Sequence, residues 1–172
     1  MLLGAESIRS IPLDMFLIID ASAGQQNTKN DIISWLNERV IDEILMDGDR
    51  ITVWSAGDRA DIIYSDTISG EASKDELREL FGNMDTDGRF ADFSSALREL
   101  GPRVSAVPQN RLSYSMLITS SAAGLAPVLT GGAQSMLRWS RSERYERWQV
   151  FILAPDIGPR VQQAAGAFLG ER

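Results

Sequence analysis

Residues 16–24, with the sequence FLIIDASAG, place an acid and a hydroxyl at the end of an apolar run. Asp20 follows five consecutive apolar residues, and Ser22 stands two positions later among small residues. Such a run is typical of a buried strand in a parallel sheet, and its end delivers side chains to the edge of that sheet. A carboxylate there could ligate a hard cation, accept a phosphoryl group, activate a nucleophile or accept hydrogen bonds.

The composition removes most catalytic chemistry from consideration. The chain of 172 residues contains neither His nor Cys, so it cannot build a Ser-His-Asp triad, a thiolate nucleophile or a typical zinc site. Neither a GxxxxGKS/T phosphate loop nor a GxGxxG dinucleotide motif is present. A phosphoryl-accepting DxD pair would need an acid where Ser22 stands. We therefore expect no catalytic residues, and a hydrolase or phosphotransfer enzyme on a similar sheet is the enzymatic alternative.

Charge and hydropathy limit the partners. The net charge is −7, which disfavours nucleic acid as a partner, and 44% of the residues are hydrophobic, which suffices for one core. No apolar run approaches the roughly 18 residues that a membrane-spanning helix needs. Residues 1–10 lack the basic flank and apolar core of a signal peptide. We expect one domain over residues 1–172, with its core from about 12 to 169, no direct membrane insertion, and any targeting segment outside this chain.

Alternating strand and helix patterns predict an α/β fold. Strands are predicted at LDMFLIID, RITVWSA, DIIYSDTI, LSYSMLIT and WQVFILA, and helices lie between most of them. A short turn containing Gly57 joins the second and third strands, so this pair forms an antiparallel hairpin. We predict a doubly wound, Rossmann-like and mainly parallel sheet of about six strands, with one antiparallel edge strand and helices on both faces.

Three helix starts carry specific predictions. Thr28 is expected to cap the helix TKNDIISWLNERVIDEIL, and Ser73 with Glu76 to form a capping box for the next helix. Asp92 is expected to start a third helix, which Gly101-Pro102 ends or kinks. The apolar residues of this third helix are expected in the core: Phe93, Leu97 and Leu100.

Three segments resemble the metal-ion-dependent adhesion site of von Willebrand factor A domains. DASAG is similar to the DxSxS that opens this site, TDGRFADFSSALREL to its second loop in bacterial members, and MLITSSAAGL to the end of the fourth strand. The predicted order of strands and helices also matches the family, from about residue 12 to 169. The resemblance implies a von Willebrand factor A-like domain of bacterial type.

The family's site holds Mg²⁺ or Mn²⁺ through two Ser, one Thr and two Asp, and this chain matches it in part. Asp20 and Ser22 stand at the first two positions. Gly24 stands at the second Ser position and Ala91 at the Thr position, or Phe90 if the loop is shifted by one residue. Gly, Ala and Phe carry no side-chain oxygen, so these positions cannot ligate a hard cation through their side chains.

The residues at the remaining site positions also differ from the family's metal ligands. Ser120 stands at the second Asp position, and Asp92 is expected to cap its helix rather than bind metal. The resemblance therefore implies a vestigial site without metal, with a weak Mg²⁺ or Mn²⁺ site completed by water as the alternative. Asp20 is then expected to accept hydrogen bonds from backbone N–H groups and from Ser22 or Ser120.

A cluster of arginines and aromatic residues is the candidate partner surface. Arginine recurs every three residues from position 138, with aromatic residues between. The candidate residues are Arg138, Arg141, Arg144, Trp139 and Tyr145. Such residues are enriched at protein interfaces, although a solvated helix face is the alternative interpretation. The apolar loop 122–132 could cover the vestigial site or contact a partner.

Together, the residues and the resemblance predict a non-enzymatic protein–protein interaction module. We expect a protein partner, no cofactor, and a place in a larger protein or assembly. A cation-dependent ligand-binding domain is the alternative. Family members often work at the cell envelope, which is the location that the resemblance implies.

Overall fold

The fold is a mixed sheet of five strands in the computed structural model, which describes residues 10–119 and 148–153. The strands are β1 (Leu13–Asp20), β2 (Arg50–Ala56), β3 (Ala60–Thr67), β4 (Leu112–Ile118) and β5 (Trp148–Leu153). Their order in space is β3-β2-β1-β4-β5, and only the β2–β3 pair is antiparallel. The predicted mainly parallel sheet with an antiparallel edge strand is confirmed, whereas a sixth strand is not among the described residues.

The strand order reverses direction beside β1. The chain moves from β1 to β2 and β3 on one side, and then crosses to β4 and β5 on the other. Asp20 pairs with Ala56 of β2, and Ile19 pairs with Ile118 of β4, so these three strands end at the same level. Ligands of open α/β sheets bind beyond such a reversal point, at the carboxyl ends of the strands.

Helices cover both faces of the sheet. On one face lie α1 (Lys29–Trp35), the π-helical segment Leu36–Asp42 that continues it, and α2 (Glu71–Gly82). On the other face lies α3 (Phe93–Ser105). None of the helices in the described part of the chain combines the length and apolar character needed to cross a membrane.

Two of the predicted helix starts are wrong in detail. Thr28 occupies the N-cap position of α1, but its hydroxyl donates to the Gln25 carbonyl at 3.3 Å instead of accepting from the helix. Helix α2 begins at Glu71, because Gly70 turns the chain with a φ of 81°. Ser73 therefore lies inside the helix and accepts from the Ser69 N–H at 3.1 Å, so the predicted capping box does not form.

The start of α3 is predicted correctly. Asp92 caps it by accepting from the Ser95 N–H at 3.1 Å. The helix does not end at Gly101-Pro102 but continues to Ser105, with Pro102 inside its last turn. Its predicted core residues, Phe93, Leu97 and Leu100, are buried.

Strand β1 divides the core into two clusters. All eight of its residues are buried, which agrees with a central parallel strand. Phe16 and Ile18 pack with Trp54 and the buried face of α3. Met15, Leu17 and their neighbours on the same side of the sheet pack against α1 and α2. This packing on both faces fixes the end of β1 in space.

Candidate functional site

The candidate site is the rim of the sheet where β1 ends, at Asp20. The side chain of Asp20 is only 1% exposed, although it lies at the end of its strand. Burying a carboxylate is costly unless hydrogen-bond donors surround it. The donors around Asp20 therefore determine whether its carboxylate is available to a ligand.

Both carboxylate oxygens of Asp20 accept two hydrogen bonds each. Oδ1 accepts from the Ser22 N–H at 2.9 Å and from the Ser22 hydroxyl at 2.6 Å. Oδ2 accepts from Gln25 Nε2 at 2.8 Å and from the Thr119 hydroxyl at 2.6 Å. The expected contact with Ser22 is confirmed, whereas Ser120, the other expected donor, lies outside the described residues.

Gln25 and Thr119 were not identified from the sequence. A 3-10 turn, Ala23–Gln25, follows Ser22 and returns the Gln25 side chain to the end of β1. Thr119 is the first residue after β4, and the pairing of Ile19 with Ile118 places it level with Asp20. Position was the available signal: Thr119 lies within MLITSSAAGL and directly follows β4, whereas Gln25 stands one residue after DASAG, in the turn that follows β1.

The second rim loop, residues 88–92, is attached to the first by backbone contacts. Ala23 N–H donates to the Gly88 carbonyl at 2.7 Å, and Gly88 N–H donates to the Ala21 carbonyl at 3.2 Å. A Cβ at position 88 would lie 2.9 Å from Gly57 Cα and 3.1 Å from the Asp58 nitrogen. Only glycine fits this approach of three backbones without a shift.

Asp58 holds the start of this loop. Its carboxylate accepts from the Arg89 N–H at 2.6 Å and from Arg89 Nε at 3.2 Å. The hydrogen bond from the Arg89 N–H, with smaller contributions from the Arg89 guanidinium and the Phe90 N–H, lowers the pKa of Asp58 below its ordinary value. Phe90 follows with 54% of its surface exposed, so an aromatic side chain projects from a loop with a fixed backbone.

The other predicted site positions lie in three different environments. Gly24 is exposed, and a Cβ built on it would have Ser22 Oγ as its nearest neighbour at 3.8 Å. Ala91 packs against the apolar cluster under α3. Asp92 caps α3, and its N–H donates to the Gly57 carbonyl at 2.9 Å. The rim thus brings Asp20, Ser22 and Gly24 together, whereas Ala91 and Asp92 have packing and capping contacts of their own.

The candidate partner surface lies outside the described residues. This applies to Arg138, Trp139, Arg141, Arg144 and Tyr145, and also to the loop 122–132. Their contribution to a partner surface therefore stays a prediction.

A groove of about 420 Å³ lies at the opposite end of the sheet. The starts of β1 and β2, the end of β3 and the end of α3 line it. Two arginines and two aspartates stand in its wall, and Arg50 donates to Asp14 from Nε at 2.7 Å. These four side chains together carry no net charge.

Comparison with known proteins identifies the fold. No protein-family model matches the chain. An uncharacterized protein from Treponema pallidum (strain Nichols) is 25% identical over 91 residues, which are 52% of this chain and 41% of that protein. The chain therefore matches less than half the length of this curated relative.

Three solved structures are similar over most of the chain. A von Willebrand factor type A protein from Catenulispora acidiphila superposes with a TM-score of 0.62 and 16% identity, covering 92% of this chain and 37% of that one. The manganese-loaded TRAP protein of Plasmodium vivax gives 0.61 and 17%, covering 94% and 63%. Proximal thread matrix protein 1 from the mussel byssus gives 0.56 and 11%, covering 84% and 38%. With this strand order and this rim, the chain has a von Willebrand factor A-like fold.

Proposed function

We propose that the chain is a non-enzymatic protein–protein interaction module whose rim works without a metal ion. The observation that carries this proposal is the environment of Asp20. Four donors from the protein itself occupy both of its oxygens at 2.6–2.9 Å. An acid that is satisfied in this way stabilises the rim as a hydrogen-bond acceptor, and it offers little to an incoming cation.

The side chains around the rim fit a divalent cation poorly. Mg²⁺ needs about six oxygen ligands in near-octahedral geometry, and it loses its water reluctantly. Gly24 offers no side-chain oxygen, the partly buried Ala91 packs against the core, and the Asp92 carboxylate caps α3. The manganese-loaded TRAP protein shares this fold, so the difference that we propose lies in the side chains and not in the backbone.

The same environment argues against the enzymatic alternative. Ser22 donates its hydroxyl to Asp20 at 2.6 Å, which is the arrangement of a nucleophile beside a base. Asp20 would have to act as the base alone, because the sequence contains no His, and its three other hydrogen bonds hold the carboxylate in place. In the described part of the chain, no group of three or more Asp or Glu residues is placed to hold a catalytic metal.

Two surfaces are proposed for the partner. One is the cluster of Arg138, Arg141 and Arg144 with its aromatic neighbours, which suits a protein surface bearing carboxylates or an apolar groove. The other is the rim around Phe90, whose exposed ring projects from a fixed loop. A matrix protein of the mussel byssus shares the fold, which is consistent with a binding role in a larger assembly. The resemblance to the family would place this assembly at the cell envelope.

The experiment is partner capture from a native lysate, performed in parallel with Mg²⁺ and with EDTA, followed by titration of the identified partner. We expect equal affinity in both buffers and weaker binding at high salt, because exposed charge pairs are screened. Replacing Arg138, Arg141 and Arg144 together by Ser should slow association. The control replaces Arg39, Arg98 and Arg103 by Ser, because these arginines are exposed and lie on the segment Leu36–Asp42 and on α3 instead of in a rim loop.

Three outcomes would contradict parts of this proposal. Capture that requires Mg²⁺ would favour the cation-dependent alternative. Unchanged affinity and salt dependence in the arginine variant would exclude the arginine cluster and leave the Phe90 rim, which Phe90→Ala then tests. Turnover of esters or phosphoesters that Ser22→Ala abolishes would favour the enzymatic alternative.

A further inference from the structure

The carboxylate of Asp20 is buried and surrounded by neutral donors. Its four hydrogen bonds come from a backbone N–H, two hydroxyls and one amide, and none comes from an arginine or lysine of the described residues. A buried charge ordinarily has a cation or a full set of polarised donors to offset its loss of water. In Asp20, one of these neutral donors must take the role that a cation has at other buried carboxylates.

Gln25 is the donor that the 3-10 turn after β1 positions. Its side chain is 1% exposed, and Nε2 lies 2.8 Å from Asp20 Oδ2 and 3.5 Å from the Thr119 hydroxyl. The 3-10 turn fixes its backbone, since the Gln25 N–H donates to the Ser22 carbonyl at 3.0 Å. The Thr28 N–H donates in turn to the Gln25 carbonyl at 3.0 Å. The amide is therefore held against the carboxylate by backbone contacts on both sides.

The hydrogen-bonding properties of the two groups determine which end of the Gln25 amide faces Asp20. The Gln25 atom that meets Asp20 Oδ2 must be the amide nitrogen, because two oxygens that both accept would repel each other. An N–H group carries a partial positive charge, and the low dielectric of a buried site strengthens its attraction to the carboxylate. Among the described residues, this group and the Thr119 hydroxyl both occupy Oδ2, so a cation that binds there must displace a donor.

We propose that the Gln25 amide takes the place of a cation at Asp20 and thereby makes the rim independent of divalent ions. This inference deepens the proposed function, because it names the residue that removes cation control from the binding rim. Gln25 is a positioning residue: it holds Asp20, and through it the ends of β1 and β4, in one arrangement. Its amide, rather than the missing ligand positions alone, excludes the ion.

The test replaces the amide by a carboxylate of nearly the same shape. In Gln25→Glu, two carboxylates face each other, so the protein should melt at a lower temperature than the parent in EDTA. Millimolar Mg²⁺, Mn²⁺ or Ca²⁺ should then bind between them and raise the melting temperature, because an ion that binds only the native state stabilises it by mass action. The parent should show no such rise.

Gln26→Glu is the matched control. This neighbour is exposed and donates to the Thr86 carbonyl at 3.4 Å, so it carries the same charge change on the same loop without contacting Asp20. We expect its melting temperature to be insensitive to the ions. Gln25→Ser is the second variant, and it removes the amide without adding a charge. Its melting temperature should rise with the ions by less than that of Gln25→Glu. It provides the test if Gln25→Glu fails to fold.

Two results would overturn the proposal. One is a parent protein whose melting temperature rises with Mg²⁺ in a manner that EDTA reverses and Asp20→Ala abolishes, because the ion would then displace the amide. The other is ion insensitivity of both Gln25→Glu and Gln25→Ser, because the amide would then not be what excludes the ion. The second result leaves the interaction module intact, since partner capture in Mg²⁺ and EDTA tests that function separately.

Discussion

At the scale of single residues, Asp20 connects three parts of the rim. Its carboxylate contacts Ser22 in the turn after β1, Gln25 at the end of that turn, and Thr119 after β4. Charge-assisted hydrogen bonds of this kind are shorter and stronger than neutral ones. We expect the stability of the whole rim to depend on this one acceptor.

Asp20→Asn should therefore destabilise the protein. The Asn side chain places an NH₂ group against the donors that now point at a carboxylate, and leaving buried polar groups unpaired costs about 1–3 kcal/mol each. Urea unfolding measures the loss. Asp87→Asn is the control, because Asp87 is exposed near the same rim and its change should cost less than about 0.5 kcal/mol. An Asp20→Asn protein as stable as the parent would show that these hydrogen bonds contribute little.

Asp58 makes a second residue-scale prediction, which concerns pH. The hydrogen bond from the Arg89 N–H lowers the pKa of Asp58 in the folded protein below its ordinary value of 3.8. A lowered folded pKa means that the stabilisation is fully present above the ordinary value, and it is lost as the pH falls through the folded pKa. Carboxyl-carbon NMR titration should give Asp58 a midpoint below 3.8, and a midpoint at or above that value would contradict the contact.

At the scale of elements, the rim is built where three backbones meet. The turn after β1, the hairpin turn between β2 and β3, and the loop before α3 approach each other at Gly88. The loop 88–92 then leads directly into α3, whose cap at Asp92 and buried face fix its far end. The shape of the rim follows from these backbone contacts more than from any exposed side chain.

Gly88→Ala should open this junction. The added Cβ would meet backbone atoms at 2.9–3.2 Å, and backbone cannot move aside as a flexible side chain can. Overpacking of this kind typically costs about 1–3 kcal/mol. Gly82→Ala is the control, because a Cβ at the last residue of α2 has no neighbour within 4 Å and alanine favours helix. Equal stability of the two variants would show that the junction is loose.

Features of the elements that depend on neighbouring residues in the chain were predicted from the sequence. Features that depend on contacts with distant residues were not. The cap at Asp92 and the hairpin at Gly57 depend on neighbours along the chain, and both predictions are confirmed. The helix start at Ser73 was wrong because α2 begins two residues earlier, at Glu71, directly after Gly70, whose N–H donates to Asp47 at 2.8 Å. The π-helical segment Leu36–Asp42 was not predicted, since apolar spacing alone does not distinguish it from an α-helix.

At the scale of the whole molecule, alternation of strands and helices predicted the α/β sheet with one antiparallel pair, although the sixth strand is not among the described residues. The central strand β1 carries a long apolar run, and the lengths of the connections indicate which pairs are parallel. Two of the four residues in the hydrogen-bond network at the rim were predicted from the sequence. Asp20 and Ser22 stand in one short motif, whereas Thr119 reaches Asp20 only through the β1–β4 register. Gln25 reaches it only through a 3-10 turn.

Restoring the family's ligand positions tests the alignment on which the account depends. The combined variant Gly24→Ser, Ala91→Thr and Ser120→Asp adds two hydroxyls and one carboxylate, and it is made together with Gln25→Ser so that the amide no longer occupies Asp20 Oδ2. If the alignment is right, calorimetry should detect Mn²⁺ binding in the variant, because Mn²⁺ favours carboxylate, carbonyl and water oxygens. A variant that melts with the cooperativity of the parent and still binds no ion would show that these positions do not converge.

The most direct test of the central claim is calorimetric titration of the unaltered protein with Mg²⁺ and Mn²⁺. A rim whose acid is satisfied by four protein donors should give no saturable heat at millimolar ion, and its melting temperature should be the same in Mg²⁺ as in EDTA. Saturable binding of either ion that Asp20→Ala abolishes would contradict the claim and identify a cation-dependent domain.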